Sequence, residues 1–591
     1  MMLIPVHAQL TPNEIIFKQN LEKFFKDFLL KPEGLILNQD AMPYAEKKHI
    51  QAIYKAFGLD EHTFIQPIVT PVSRLSEARD MPLSSLSLMA ERAGRLIPIP
   101  FQFDEFDDQK FVYLPEVSED LGRKPDGIPG KLDGSDELVF MFRDAGKPWT
   151  EEQISSMKVV QSIEVNMLGA EPRWVYLVKG QKKRSMADYI NIDLDKGLVL
   201  STVYKAKVDP DNFLDIQYVK PLAGPNYGKN AMKDFRIEVS AGVFSESLRV
   251  TLDNKSNIRA EPIAVKIGPI RDLVVVDMAI RNLGISLFKV PAQLVFYEQV
   301  IEPFLAVNFN SLGWADKLIF AVKRPEMSFA FDLQYVKGGT LSFPPIYRQQ
   351  PAYFDGKLSQ TERDIRNIRH PEHWVWIDGD ALWQVFFALP IEYDGVVEQV
   401  LSDIDMAVLY DEQVIDERVT ITAGAKFIGF PELLLNFLSV LGSLDLDDGD
   451  PLGKITWEIV ENGNTEEMQA LTAVIKRHLL ALKEQGVFTT PQEMLEQVDS
   501  ELGLIQFSGF DRELIYSAAK AGLVPLDSLE NFDLYEAFKE ARRYLESKGY
   551  DEYHFPFLGV SLTAFMPSGL PNNDPDAFYK NIRAPYKIRV N

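Results

Sequence analysis

"RIEVSAGVFSESLRVTL", residues 236–252, carries the texture that decides the fold class, with strand-favouring residues such as Ile237, Val239, Val243, Phe244 and Val250 set among small and polar ones. The same short β-branched and aromatic runs, broken by Gly, Pro, Asn and Asp, extend from about residue 64 to 430, as in "LIPIPFQF" (96–103), "RWVYLVKG" (173–180) and "GLVLSTVYKAKV" (197–208). Strands at that density mean sandwiches or barrels. The stretch exceeds one ordinary sandwich, so it predicts a mainly β chain: one enlarged antiparallel sandwich, or two packed together.

The flanks read differently. "NEIIFKQNLEKFFKDFLL" (13–30) places Ile15, Ile16, Leu21, Phe24, Phe25 and Leu29 near helical spacing, and a helical pattern returns from "NTEEMQALTAVIKRHLLALKEQG" (464–486) through "DLYEAFKEARRYLESKGY" (533–550). The resulting division is a helical segment over 9–63, the β region over 64–445, and a helical C-terminal domain over 446–591 that ends in an irregular tail. At the amino terminus, Val6-His7-Ala8 has the small-x-Ala shape of a secretory signal's end, so residues 1–8 read as a signal remnant, with a plain cytosolic start as the alternative.

Composition narrows the functional classes. The chain has 591 residues, 46% hydrophobic and 25% charged, which is enough for about three or four domains. A formal charge of −24 opposes phosphate backbones, which argues against nucleic acid as a partner. No stretch has the eighteen or so uncharged apolar residues that a membrane-spanning helix requires, the nearest being "FPELLLNFLSVLGSL" (430–444). The absence of cysteine removes disulfides, thiolate nucleophiles and cysteine-ligated metal centres. Nor does the chain contain a Gly-x-Ser-x-Gly elbow, a phosphate-binding glycine loop, a dinucleotide fingerprint or a His-Glu-x-x-His helix.

Three stretches carry groups capable of chemistry. "PDGIPGKLDGSDE" (125–137) supplies Asp126, Asp133, Asp136 and Glu137, oxygen donors of the kind Ca²⁺ takes. In EF-hand register only its second half fits: Pro125, Gly127 and Pro129 occupy the first three ligand positions, so a complete EF-hand is excluded. The competing reading is a turn in which Asp133 and Asp136 cap backbone amides before the strand "ELVFMF" (137–142). "IRHPEHWVWIDGDALWQ" (368–384) gathers His370, His373, Asp378 and Asp380 with Trp374, Trp376 and Trp383, in a chain with only seven histidines. Trp374 and Trp376 share one face of a strand, where indoles either stack on a sugar ring or fill a core. In "VKIGPIRDLVVVDMAI" (265–280), Arg271 and Asp272 lie between a Gly-Pro turn and a strand, which predicts an arginine paired with a nearby carboxylate.

Two resemblances enter at these residues. "IPFQFDE" (99–105), followed by "DGIPGKLDGSDELVFMFRDAG" (126–146), resembles uncharacterised secreted bacterial β-rich proteins in which a D-G-x-L-D-x-x-D-E-L-V-F segment follows a P-x-Q-x-D-E strand. That resemblance covers about fifty residues, implies a periplasmic or extracellular location and carries no activity. The Gly-Pro-x-Arg opening at Gly268–Arg271 resembles segments of large carbohydrate-related sandwiches of the galactose-mutarotase type. Taken together, the expectation is a non-catalytic extracytoplasmic protein that binds a polysaccharide or a protein partner through aromatic surface, with Ca²⁺ as the only candidate cofactor. The alternatives are a carbohydrate-active enzyme on a mutarotase-like sandwich, with Asp378 and Asp380 in acid–base roles, and a structural subunit of a surface assembly.

Overall fold

A computed structural model describes the chain from residue 58 to 428 with interruptions, the longest at 306–321 and 389–404, together with 562–565, 574–583, 586–590 and a few isolated positions. The expected helical regions at 9–63 and 446–550 lie almost wholly outside the described residues.

The described chain is mainly β. Its first strands are β1 (Pro67–Pro71), β2 (Leu86–Arg92), β3 (Arg95–Pro98), β4 (Gln102–Asp104), β5 (Glu137–Met141), β6 (Val159–Met167) and β7 (Arg173–Lys179). There follow β8 (Ile190–Asp193), β9 (Leu198–Ser201), β10 (Tyr204–Asp209), β11 (Asn212–Pro221), β12 (Met232–Val243), β13 (Ser245–Asp253), β14 (Ile258–Lys266), β15 (Arg271–Asn282), β16 (Ile285–Tyr297), β17 (Val300–Leu305) and β18 (Val322–Gln334). The remainder are β19 (Thr340–Ser342), β20 (Ala352–Tyr353), β21 (Arg369–His370), β22 (Trp374–Asp378), β23 (Gln384–Ala388), β24 (Asp405–Ile415), β25 (Arg418–Ile428), β26 (Leu562–Phe565) and β27 (Tyr586–Val590).

Two large antiparallel sheets form the body. One runs β21-β24-β25-β18-β12-β11-β10-β9-β8, with β13 also paired to β12; the other runs β14-β15-β16-β17-β26-β23-β22-β19-β20. Inward side chains of the two sheets meet directly: Phe213 of β11 lies edge-on to Phe296 of β16 at 6.1 Å, and Phe329 and Phe331 of β18 meet Phe387 of β23 at 5.6 and 6.1 Å. This is one enlarged sandwich, the first of the two arrangements that the length of the β texture left open. The quoted stretch 236–252 lies in β12 and β13, which pair with Ala241 opposite Val250. Two smaller sheets, β1-β5-β4 and β27-β6-β7-β2-β3, belong mostly to the first part of the chain.

The end of the chain departs from the expected irregular tail. β26 inserts between β17 and β23 in the middle of a large sheet, helix α1 (Pro575–Arg583) buries Phe578 and Tyr579, and β27 adds an edge strand beside β6. Pro, Asn and Tyr in this region suppress any periodic signal, but long-range pairing decides its structure, as propensity alone often fails to. Tyr586 locks the return: its hydroxyl donates to the Val69 carbonyl at 3.0 Å and accepts from the Val69 amide at 2.8 Å. Among the described residues no helix is long and apolar enough to cross a membrane.

Candidate functional site

Three stretches far apart in sequence converge on one buried arginine. β4 presents Gln102 and Asp104, β5 presents Glu137, and the Gly268-Pro269-Ile270 turn delivers Arg271 at the start of β15. Asp104 and Glu137 are directly opposed across the β4–β5 pair, an arrangement of like charges that needs a cation. Arg271 supplies it, with Nε 2.7 Å from Asp104 Oδ2, Nη2 2.5 Å from Glu137 Oε2, and Nη1 donating to the Tyr297 hydroxyl at 3.0 Å. Lys266 adds a second cation, its Nζ 2.8 Å from Asp104 Oδ1. Gln102 completes the frame: its Nε2 donates to Asp104 Oδ1 at 2.9 Å, and its Oε1 accepts the amides of Ile270 and Arg271 at 3.1 and 3.0 Å. A side chain at Gly268 would collide with that Gln102 amide, which accounts for a glycine there.

The electrostatics follow from this packing. Burial works to raise the Asp104 carboxyl, but the charges of Lys266 and Arg271 and hydrogen bonds from Lys266 and Gln102 outweigh it and hold the group below its usual value. For Arg271, burial opposes the charged form, whereas Tyr297, Asp104 and Glu137 hold the guanidinium well above its ordinary range. Asp272, the next residue, behaves differently. It is fully buried, its Oδ1 accepts the Gly268 amide at 2.9 Å, and its Oδ2 has no hydrogen-bond partner among the described residues. Burial pushes its pKa to about 7, against the opposing amides of Gly268 and Ile192.

A second buried joint lies at the other end of β5. Arg143, on the 3-10 turn Phe142–Asp144, has its guanidinium 4.4 Å from the centre of the Phe64 ring and 4.3 Å from that of Tyr189. Its Nη1 lies 2.5 Å from Glu298 Oε2 and donates to the Phe64 carbonyl at 3.1 Å. Glu298 sits in the turn between β16 and β17, and its other oxygen accepts from the Thr202 hydroxyl in the turn between β9 and β10. Asp144 accepts the Tyr189 hydroxyl at 2.7 Å, and Arg92 and Arg173 donate to the Asp144 and Arg143 carbonyls at 2.6 and 3.1 Å. Burial would lower Arg143, yet Glu298, Tyr189 and Asp144 keep it above its ordinary value; burial and the charge of Arg92 instead bring Arg173 down to about 10. Neither Arg143 nor Glu298 stands out by motif, so sequence reasoning missed both.

The acidic turn spends its carboxylates on the backbone. Asp133 Oδ2 accepts the Ile128 amide at 3.0 Å, and Asp136 Oδ2 accepts the Asp133 amide at 3.0 Å. The Asp133 carboxylate comes so close to Gly127 that no side chain fits there. Glu137 is taken by Arg271, and Asp126 lies exposed, its amide donating to the Phe106 carbonyl at 3.1 Å. Among the described residues no three acidic or histidine side chains are grouped to hold a metal ion. Burial raises Asp136 to about 7, helped by the nearby Asp133 and Glu105 charges and opposed by the Asp133 amide and Lys266.

The tryptophans are core residues. Trp374 and Trp376 do share a face, since Trp374 stacks at 5.8 Å on Phe386, the residue directly opposite Trp376. That face is covered: Phe386 packs against Phe578 of α1 at 4.8 Å, and Trp374 and Trp376 are 0% and 7% exposed. Trp376 Nε1 donates to Gln384 Oε1 at 3.0 Å. Of the two readings open for these indoles, the structure shows the core-filling one: both rings are buried, and Phe578 of the C-terminal helix packs on Phe386 beside them, so no sugar platform is formed. Asp378 is half-buried at the end of β22, opposite Gln384, and the backbone of His370 pairs with Met406. His373, Asp380 and Trp383 lie outside the described residues.

No family model and no curated protein matches the chain. Among solved structures, an alpha-mannosidase from Enterococcus faecalis V583 aligns with a TM-score of 0.31 and 10% sequence identity, over 63% of this chain and 42% of that one. The chain thus spans less than half the length of that protein, and a likeness of this size transfers neither fold detail nor activity.

Two outcomes follow from the geometry. Asp133→Ala should lower stability by about 1 kcal/mol through loss of the cap, equally with calcium and with a chelator, in a thermal melt; a midpoint that moves with calcium in the parent alone would make the turn an ion site. The pH dependence has a definite sign. Asp272 and Asp136 lose their protons near pH 7 in the folded chain but near ~4 when unfolded. The folded state therefore binds more protons between these values, and stability falls as pH rises through this window. Asp272→Asn should flatten part of that fall in urea midpoints measured from pH 5 to 8.

Proposed function

We propose that this chain is a non-catalytic binding protein of the periplasm or cell exterior, an enlarged β-sandwich that engages a polymer or a partner protein through an outer sheet face. The observation that carries this reading is where the charged groups end up. Arg271, Asp104, Arg143 and Glu298 are 5%, 0%, 1% and 1% exposed, and they neutralise one another. A general acid or base must come within hydrogen-bond reach of a substrate proton. Groups closed off between layers and spent on each other serve instead as joints, which leaves recognition to the surface. The location rests on the resemblance of residues 99–146 to secreted proteins.

Affinity electrophoresis through gels containing individual polysaccharides, run beside an assay for new reducing ends, separates binding from turnover. Retarded migration with no new reducing ends is expected. Release of reducing ends that is lost in Asp378→Asn or Asp380→Asn would replace this reading with the carbohydrate-active enzyme.

A further inference from the structure

We infer that the outer face of β9, β10 and β11 is a binding site for an acidic polysaccharide, an inference that rests on the binding reading above and gives it a location and a ligand class. Along β10, Tyr204, Ala206 and Val208 point into the core while Lys205 and Lys207 alternate outward, half-buried. Cross-strand register then aligns two rows. Lys205 lies directly between Leu200 of β9 and Lys220 of β11; Lys207 lies between Leu198 and Tyr218. The Lys220 ammonium sits 4.5 Å from the centre of the Tyr218 ring, and Leu200 is 44% exposed. Lys233 is exposed one residue beyond Met232, which pairs with Val219 of β11.

The Lys205–Lys220 pair is the informative feature. Like charges directly opposite each other on a sheet destabilise it. Neither lysine has an ion-pair partner among the described residues, in a chain whose net charge is −24 and whose buried cations are neutralised. Of the nearby acids, Asp193, beside Leu198, pairs with Lys196 at 2.5 Å, Asp215 and Asp234 both pair with Lys255, and Asp209, two residues beyond Lys207 on the same face, accepts the Asp211 amide at 2.8 Å. Lys207 donates to the Lys196 carbonyl and so stays at the border of the patch. The result is a small cationic area with an aromatic ring and two leucines inside an acidic protein.

That combination selects its ligand. A polyanion as densely charged as duplex DNA would be repelled by the rest of the surface. A uronic acid carries one carboxylate per ring and an apolar C–H face, which match Lys205 and Lys220 on one side and Tyr218, Leu198 and Leu200 on the other. The site is visible in "VYKAKV" (203–208) as lysines alternating with buried residues, a pattern that ordinarily marks a solvated strand face.

Titration calorimetry of the full chain with polygalacturonate, neutral dextran and polyglutamate, at low and at high salt, tests the assignment. Binding to polygalacturonate should weaken at least tenfold at high salt. Lys205→Glu should abolish it while raising the melting midpoint, because a carboxylate would then face Lys220; Tyr218→Ala should weaken it about tenfold at an unchanged midpoint. Binding that survives Lys205→Glu, or equal binding of polyglutamate, overturns the inference. If dextran or another neutral polymer binds and Lys205→Glu leaves that binding intact, the site is wrong and the binding reading stands; if none of the three polymers binds, the ligand class is wrong.

Discussion

A guanidinium cut off from water must be neutralised where it lies, and the Arg143–Glu298 contact at 2.5 Å does this at the point where three parts of the fold meet. Arg143 comes from the turn that ends β5, Glu298 from the β16–β17 turn of one large sheet, and Thr202, bonded to Glu298, from the β9–β10 turn of the other. Burying the pair costs desolvation that its attraction only roughly offsets, so its value is positional. Any arrangement that parts the two charges leaves one of them unpaired in the interior, a penalty of about 3–5 kcal/mol. Phe64 and Tyr189 on the guanidinium faces restrict it further.

The Arg271 cluster does the same at the opposite end of β5. Asp104 and Glu137 would repel across their strand pair, and Arg271 from the sandwich neutralises both, so docking relieves a charge conflict within the small β1-β5-β4 sheet. The two joints make β5 a strut with a charged anchor at each end. Against this, Lys205 and Lys220 have no countercharge at all among the described residues. Interior cations are neutralised by the protein, whereas the surface pair draws no countercharge from it.

Much of the architecture was legible in sequence. Short β-branched runs over 64–430 predicted a mainly β chain built as one enlarged sandwich or two packed ones, and the Gly-Pro-Ile-Arg turn predicted a paired arginine, since both signals are local. The identity of the partners was not legible. Asp104 and Glu137 lie more than a hundred residues from Arg271, and only the fold brings them together. Trp374 and Trp376 share a face, as spacing dictates, but spacing cannot tell a solvent-facing strand from one roofed by a helix two hundred residues later. The tail misled for a related reason: β26 and β27 are strands because their neighbours offer open edges, and their own composition does not announce it. The Lys205 patch was in plain view and is easily passed over as an ordinary solvated face.

Arg143 and Glu298 hold the layers together as one unit, and a double-mutant cycle in urea measures that directly. Arg143→Met alone and Glu298→Gln alone should each cost about 3–5 kcal/mol, because each strands a buried polar partner, and the double variant should cost much less than the sum. Losses that simply add, or single variants within about 0.5 kcal/mol of the parent, would show that the two charges do not hold the layers together.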